Sequence, residues 1–390
     1  MTVLSSIIGL FNTRLALALD PPVVPKNEAP LRFGILGAAN IAPSALITPA
    51  RSHPDVVIYA VAARDETRAR AYARKHRIPV VFSSYQDLLD SPDVDAVYNP
   101  LPNGLHFEWT MKALTAGKHV LLEKPSSNRA EETRQMFELA TKKNLVLLEA
   151  FHYRFHPANH RFKEIITSGT LGELRSLQVD TRMFSGFFPA RDIRFNYELG
   201  GGAAADMGCY GLSVVRWVTD SEPIVEFAKA ELFNGRADVD RAMVSDLIFD
   251  SSPHSSSRIY AHIACDLARP WKFGILPTLP TFNITATCAR GTVRCTFFIM
   301  PAFIHSITIH ENGKPPIKET RYKFLGENTI GKDWWTTYRY QLEAFVDRVR
   351  NRNPQHWISG DDSVAQMRAL EAVYVKAGLQ LRPASNVEFH

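Results

Sequence analysis

The sequence predicts an α/β protein in two parts: a doubly wound parallel sheet, then an α+β unit with a large, mostly antiparallel, open-faced sheet. Three observations lead there. Between 31 and 150, apolar strand-like runs alternate with helical stretches, the rhythm of parallel strands joined by crossovers. After 170, strand-like runs follow one another with turns between them and few helices, which favours antiparallel pairing. The first run also turns at Gly37 into a helical stretch, the junction at which a Rossmann domain holds a dinucleotide pyrophosphate.

In the first part, 32–37, 56–63, 94–100, 118–123 and 145–150 are nearly continuous apolar runs, as expected of strands buried on both faces. Between them, 67–76, 106–117 and 131–144 carry helical periodicity, the latter two stopping at Gly117 and Asn144. In the second part, strands are expected at 175–184, 225–233, 242–249, 258–267, 281–288, 292–299 and 305–310. Helical patterns return at 340–352 and 363–378. The chain therefore divides into an arm with a proline-rich link (1–30), a dinucleotide-binding domain (31–151) and a substrate-binding and dimerisation domain (152–390).

Composition bounds the function. A chain of 390 residues with 45% hydrophobic and 22% charged residues is an ordinary globular protein, long enough for two domains sharing a cleft. The net charge of +5 comes from 45 basic against 40 acidic residues without a basic block. That is too diffuse for nucleic acid and suits an anionic cofactor. Cys209, Cys265, Cys288 and Cys295 have neither metal-ligand nor disulfide-like spacing, which points to a reducing compartment, the cytoplasm. Residues 3–19 are apolar, yet no Lys or Arg precedes them and Arg14 interrupts them. We read 1–19 as an amphipathic arm, with a cleaved targeting segment as the alternative. No run reaches a bilayer-spanning length, so no membrane partner is expected. His152, His156 and His160 mimic a metal-binding stripe, but Pro157 breaks the helix that would align them, and no metal is expected.

The glycine turn reads Gly37-Ala38-Ala39-Asn40-Ile41-Ala42, with only the first glycine of G-x-G-x-x-G kept. The strand at 56–63 is followed by Arg64, with no carboxylate at its end. NADP sites favour that arrangement, so NADP(H) is expected over NAD(H). In the other reading Arg64 is a solvated turn residue and Asp65 takes the ribose. The strand at 118–123 ends on Glu123-Lys124-Pro125, which sets a lysine at the carboxyl edge of the same sheet.

With these residues in view, the chain resembles the Gfo/Idh/MocA oxidoreductases from about residue 31 to 384. The likeness rests on GILGAANIA, YNPLPNGLH (98–106), GKHVLLEKP (117–125), EAFHYRFHP (149–157) and LGGGAAADMGCYGLSVVRW (199–217). Asp206-Met207-Gly208-Cys209-Tyr210 ends in tyrosine where many relatives have histidine. That is the pattern of the branch with dimeric dihydrodiol dehydrogenase, NADP-dependent D-xylose dehydrogenase and glucose–fructose oxidoreductase.

The resemblance implies Lys124 and Tyr210 as the catalytic pair, a cis Lys124–Pro125 bond, and a nicotinamide pocket lined by Pro100, Asn103, His106 and Glu123. It implies a hydride transfer on a small cyclic polyhydroxyl substrate, an aldose such as D-xylose or a trans-dihydrodiol. A neighbouring ammonium is expected to lower the Tyr210 pKa, with His106 as the fallback acid/base. Asp206, Arg154 and Arg191 are candidate substrate contacts. For Arg154 a structural salt bridge, and for Asn103 a helix cap, stand as alternatives, and the phenylalanines of 184–188 are stacking or core residues. A non-catalytic NADP-binding regulator of the same fold, or a reductase of specialised metabolism, is the second reading of the whole. Apolar residues on both alternations of 258–299 lead us to expect a homodimer or larger homo-oligomer.

Overall fold

The computed structural model describes residues 13–234, 236, 238–250, 252–276, 278–326 and 330–389. The first sheet contains β1 (Leu31–Leu36), β2 (Val56–Ala62), β3 (Val80–Phe82), β4 (Ala96–Asn99), β5 (His119–Leu122) and β6 (Leu147–Glu149). All neighbours are parallel, in the order β3-β2-β1-β4-β5-β6. This is the dinucleotide-binding order, and its chain reversal lies between β1 and β4. The crossover helices are α1 (Glu66–His76), α2 (Tyr85–Asp90), α3 (His106–Thr115) and α4 (Ala130–Lys142). Asp65 and Ser84 cap α1 and α2 by accepting from the N–H three residues on. The sequence reading missed β3 and α2, because three and six residues are too short to show a period.

After β6 come α5 (Pro157–Thr167), β7 (Leu174–Phe184), α6 (Cys209–Thr219), β8 (Ile224–Leu232), β9 (Asp240–Phe249) and β10 (Ile259–Arg269). Then follow β11 (Thr281–Cys288), β12 (Gly291–Thr296), β13 (Ser306–Glu311), β14 (Ile317–Glu319), α7 (Thr337–Val349) and α8 (Gly360–Lys376). The eight strands pair in the order β14-β13-β12-β11-β7-β10-β9-β8. Only β7–β10 is parallel, so the sheet is mostly antiparallel, as predicted. The run expected at 292–299 leaves the sheet at Thr296, where Phe297 takes a left-handed φ of 53° and turns the chain inward.

Helix α6 lies on the inner face of this sheet because two glycines let it. A Cβ on Gly211 would sit 2.5 Å from Ile263, and one on Gly208 would sit 3.1 Å from the Cys265 sulfur. The open face differs from the expectation. On β11, Phe282, Ile284 and Ala286 point inward, while Thr281, Asn283, Thr285 and Thr287 alternate outward. On β12, Thr292, Arg294 and Thr296 do the same. These two strands are therefore apolar on one side and threonine-rich on the other, so the apolar outer face on which the dimer expectation rested is absent from β11 and β12, while Tyr260 of β10 and Ile224 and Phe227 of β8 are exposed.

The arm folds back on its own chain. Residues 13–19 are helical, and Arg14 is buried, with its guanidinium on the carbonyls of Ala302 and Phe303 and over the Tyr322 ring. Lys26 donates to the carbonyls of Ala50 (2.7 Å) and His53 (2.8 Å). The first twelve residues of the expected arm lie outside the described residues. All four cysteines are free and buried. No helix among the described residues is long and apolar enough to cross a membrane.

Candidate active site

A cavity of about 530 Å³ opens where the carboxyl edge of the first sheet meets the inner face of the second. Ile41, Pro100, Leu101, Asn103, His106, Glu123 and Lys124 line it from the first part. Lys124 and Tyr210, far apart in sequence, meet here, with the Lys124 ammonium 4.9 Å from the centre of the Tyr210 ring. The Lys124–Pro125 bond is cis, as the resemblance implies.

Lys124 leaves the sheet one residue after Glu123, whose carboxylate accepts from the Tyr98 hydroxyl at 2.7 Å. Its Nζ donates to the Asp206 carbonyl oxygen (2.8 Å) and to Asp206 Oδ1 (3.1 Å). Asp206 lies in a π-helical turn, Ala204–Gly208, at the entry to α6, the kind of local widening that recurs at functional sites. Its other oxygen accepts from Arg194 Nε at 2.9 Å. Burial favours the uncharged form of Asp206, but Arg194 and Lys124 outweigh it and hold the carboxyl down at about 2. Burial likewise opposes the Lys124 charge, and Asp206 foremost overrides it, so the ammonium is stabilised above its ordinary value.

Tyr210 does not follow the expectation of a lowered pKa. Burial pushes its phenol well above 10.0, and the acidic charges of Glu123 and Asp206 add to the effect. The ammonium sits over the ring face, while the hydroxyl lies 3.1 Å from His152 Nε2. Desolvation therefore wins over the cation, and the Tyr210 phenol is neutral at rest. His152 is held neutral too, down to about 3, by burial and then by Lys124.

Two assigned residues stand elsewhere, and a third lines the cavity with both nitrogens engaged. Arg154 does not line the cavity; it forms a buried ion pair with Asp362 and stacks over Trp217, so the structural reading of it holds. Arg191 is exposed outside the lining, and Arg194, three residues on, is the arginine that reaches Asp206. Residue type in a loop does not reveal which of two arginines turns inward. His106 borders the cavity but has no nitrogen to spare, since Nδ1 lies 2.8 Å from the Pro125 carbonyl and Nε2 2.7 Å from that of Leu101. Burial lowers it to about 4 despite those two carbonyls, so the free protein holds it neutral with both nitrogens facing backbone. The three histidines of the apparent stripe likewise face different partners. His152 meets Tyr210, His156 caps α5, and His160 meets the Arg154 carbonyl.

The nucleotide turn fits a pyrophosphate. Gly37 takes φ +87°, and a Cβ there would press on Leu101 at 3.2 Å. Asn40 and Ile41 are exposed at the crest, with Ala39 half-buried beneath them. Arg64 is exposed beside the Tyr85 hydroxyl, which itself lies 3.6 Å from the Gly37 Cβ position. Asp65 is committed to capping α1, where it accepts from Arg68 N–H at 3.1 Å. Asn103 donates to the Gly200 carbonyl at 3.0 Å and so pins the two halves of the cleft together.

A dinucleotide-binding sheet order that delivers a lysine to the cavity suits an oxidoreductase, and similarity to known proteins gives the family. Residues 31–151 match the family model described as oxidoreductase family, NAD-binding Rossmann fold, and residues 159–292 match the GFO/IDH/MocA C-terminal domain. The chain is 32% identical over 349 residues to D-xylose 1-dehydrogenase (NADP(+)) 2 of Haloferax volcanii, spanning 89% of this chain and 97% of that protein. It is 36% identical over 191 residues to trans-1,2-dihydrobenzene-1,2-diol dehydrogenase of Macaca fascicularis, spanning 48% of this chain and 56% of that protein. A 3-ketoreductase from Actinomadura kijaniata in complex with NADP and TDP-benzene shares the fold, with a TM-score of 0.75 and 24% identity over 89% of this chain and 98% of that one. The chain belongs to the Gfo/Idh/MocA oxidoreductase family.

Proposed function

We propose that the protein is an NADP(H)-dependent dehydrogenase or reductase acting on a carbinol or carbonyl carbon of a small cyclic substrate, with Lys124 and Tyr210 as the acid/base pair. The observation that carries this reading is their convergence at one pole of the cavity, beside the residues that border the nucleotide turn. The relatives act by name on D-xylose and on a dihydrodiol, and both substrate types present a ring carbinol.

Gly37, Ala39, Asn40 and Ile41 would hold the pyrophosphate, and Arg64 the 2′-phosphate. Pro100, Asn103, His106 and Glu123 would border the nicotinamide. The bound dinucleotide supplies the hydride or accepts it. Lys124 orients the substrate oxygen and polarises it, anchored by Asp206, while the Tyr210 hydroxyl gives or takes the proton. His152 Nε2 is in hydrogen-bond reach to carry that proton onward.

Consumption of NADPH with a panel of cyclic ketones and aldoses tests the reading. Tyr210→Phe should retain dinucleotide binding and lose roughly 10²–10⁴ in rate. Unchanged turnover in both Tyr210→Phe and Lys124→Met would favour the non-catalytic regulator instead.

A further inference from the structure

We infer that the substrate carries its reacting carbinol or carbonyl carbon on an apolar, ring-sized body and is not a free aldose. This rests on the assignment of Lys124 and Tyr210 as the reacting pole. The charged groups of the cavity meet at that pole and are tied to one another or to neighbouring side chains. Asp206 holds Lys124 and Arg194, Tyr210 meets His152, and Glu123 holds the Tyr98 hydroxyl.

The wall beyond has a different character. Every side chain that residues 280–304 lend to the lining is apolar, and so is every one from 183–193. Phe187 and Phe188 come from the segment after β7, Phe282 from β11, and Phe297, Phe303 and Ile304 from the segment after β12. An aldose ring carries hydroxyls around its whole edge. Bound with one carbinol at the pole, it would turn the others toward phenylalanine carbon, where a buried hydroxyl finds no partner. Each such hydroxyl weakens binding by about tenfold or more. A hydrocarbon ring makes dispersion and hydrophobic contact with the same wall and gains from it.

The rim adds a separate observation. The segment between β10 and β11 exposes Phe273 (90%), Ile275 (73%) and Leu279 (83%), and its last residue, Pro280, lines the cavity. Trp271 Nε1 donates to the Ser185 carbonyl at 3.0 Å, which ties this segment to the one that carries half-exposed Phe187. Apolar side chains thus stand both at the exposed rim and on the inner wall. In the oxidative direction the carbinol C–H leaves as hydride to NADP⁺ and the O–H proton leaves through Tyr210, giving a ketone and NADPH.

The test uses the full chain with two probe pairs. Oxidation of 1-indanol and of D-xylose with NADP⁺ gives the kcat/KM ratio, and 1-indanone binding to the NADPH complex is read by nicotinamide fluorescence. We expect 1-indanol to exceed D-xylose by about a hundredfold, and Phe282→Asn to shrink that ratio at least tenfold through KM. Phe187→Asn, at the rim, gives the same direction of change if the buried substitution fails to fold. Equal or better use of D-xylose overturns the inference while leaving the Lys124–Tyr210 reading intact. If neither alcohol is oxidised, 1-indanone binding that Phe187→Asn weakens still supports the apolar site, and absence of binding overturns it.

Discussion

The hydroxyl of Tyr210 lies 3.1 Å from Nε2 of His152, and Nδ1 of the same imidazole lies 2.8 Å from the Thr337 hydroxyl. Tyr210 is thus one end of a buried hydrogen-bonded chain, and both His152 and Tyr210 are uncharged at neutral pH. His152→Phe leaves the phenol without its partner, with an expected stability loss of about 1–3 kcal/mol and a lower kcat. His152→Gln, which keeps a polar partner, should recover most of the stability in thermal melts.

The raised phenol also sets a pH profile. A donor whose pKa lies well above 10.0 stays protonated across the neutral range, so carbonyl reduction should hold its kcat from neutral pH well into the alkaline side. A fall in kcat with an apparent pKa of about 7 would mean that binding of the substrate and dinucleotide reverses the order of effects at Tyr210.

Arg64→Ala should weaken NADPH binding by roughly ten- to a hundredfold and leave NADH nearly unchanged, because one charge-assisted contact to the 2′-phosphate is lost. Titration of both dinucleotides by protein fluorescence decides it, and an equal loss for the two would remove Arg64 from the phosphate site. The wild-type preference should also shrink with added salt.

Asp206→Ala strips the shared counter-ion from Lys124 and Arg194, two cations held in a partly closed site. The expected cost is about 3 kcal/mol or more in chemical denaturation. Dinucleotide affinity should change little, since Asp206 stands on the substrate side.

Stability should fall in acid through the buried histidines. His106 and His152 are held at about 4 and about 3, against 6.5 in the unfolded chain. Above 6.5 both states are neutral and the groups contribute nothing to the difference. Below it the unfolded chain takes up protons that the fold refuses, so stability drops by about 1.4 kcal/mol per pH unit for each group until the folded pKa is reached. Urea midpoints between pH 7 and 4.5 measure it, and His106→Asn should flatten part of the slope.

The fold and much of the site were legible in the sequence because they rest on long-period signals. Buried parallel strands read as unbroken apolar runs, and Gly37 and the Glu123-Lys124-Pro125 edge fall at their ends. What escaped was set by tertiary contacts. Nothing in ARDIRF says that Arg194 turns inward to Asp206 and Arg191 outward, or that Asp362, more than two hundred residues away, claims Arg154. The Tyr210 shift escaped for a related reason: its sign depends on burial, and the neighbouring lysine alone points the wrong way. Threonines that look strand-forming in either orientation hid the polarity of the open face.

Arg14 grips the backbone of Ala302 and Phe303, and the Phe303 side chain is part of the wall against which the substrate would rest. The first helical turn of the described chain is therefore a buttress for a specificity surface far along the sequence. Trimming the amino terminus past Arg14 would act as a remote active-site mutation and alter KM while the nucleotide fold stayed whole.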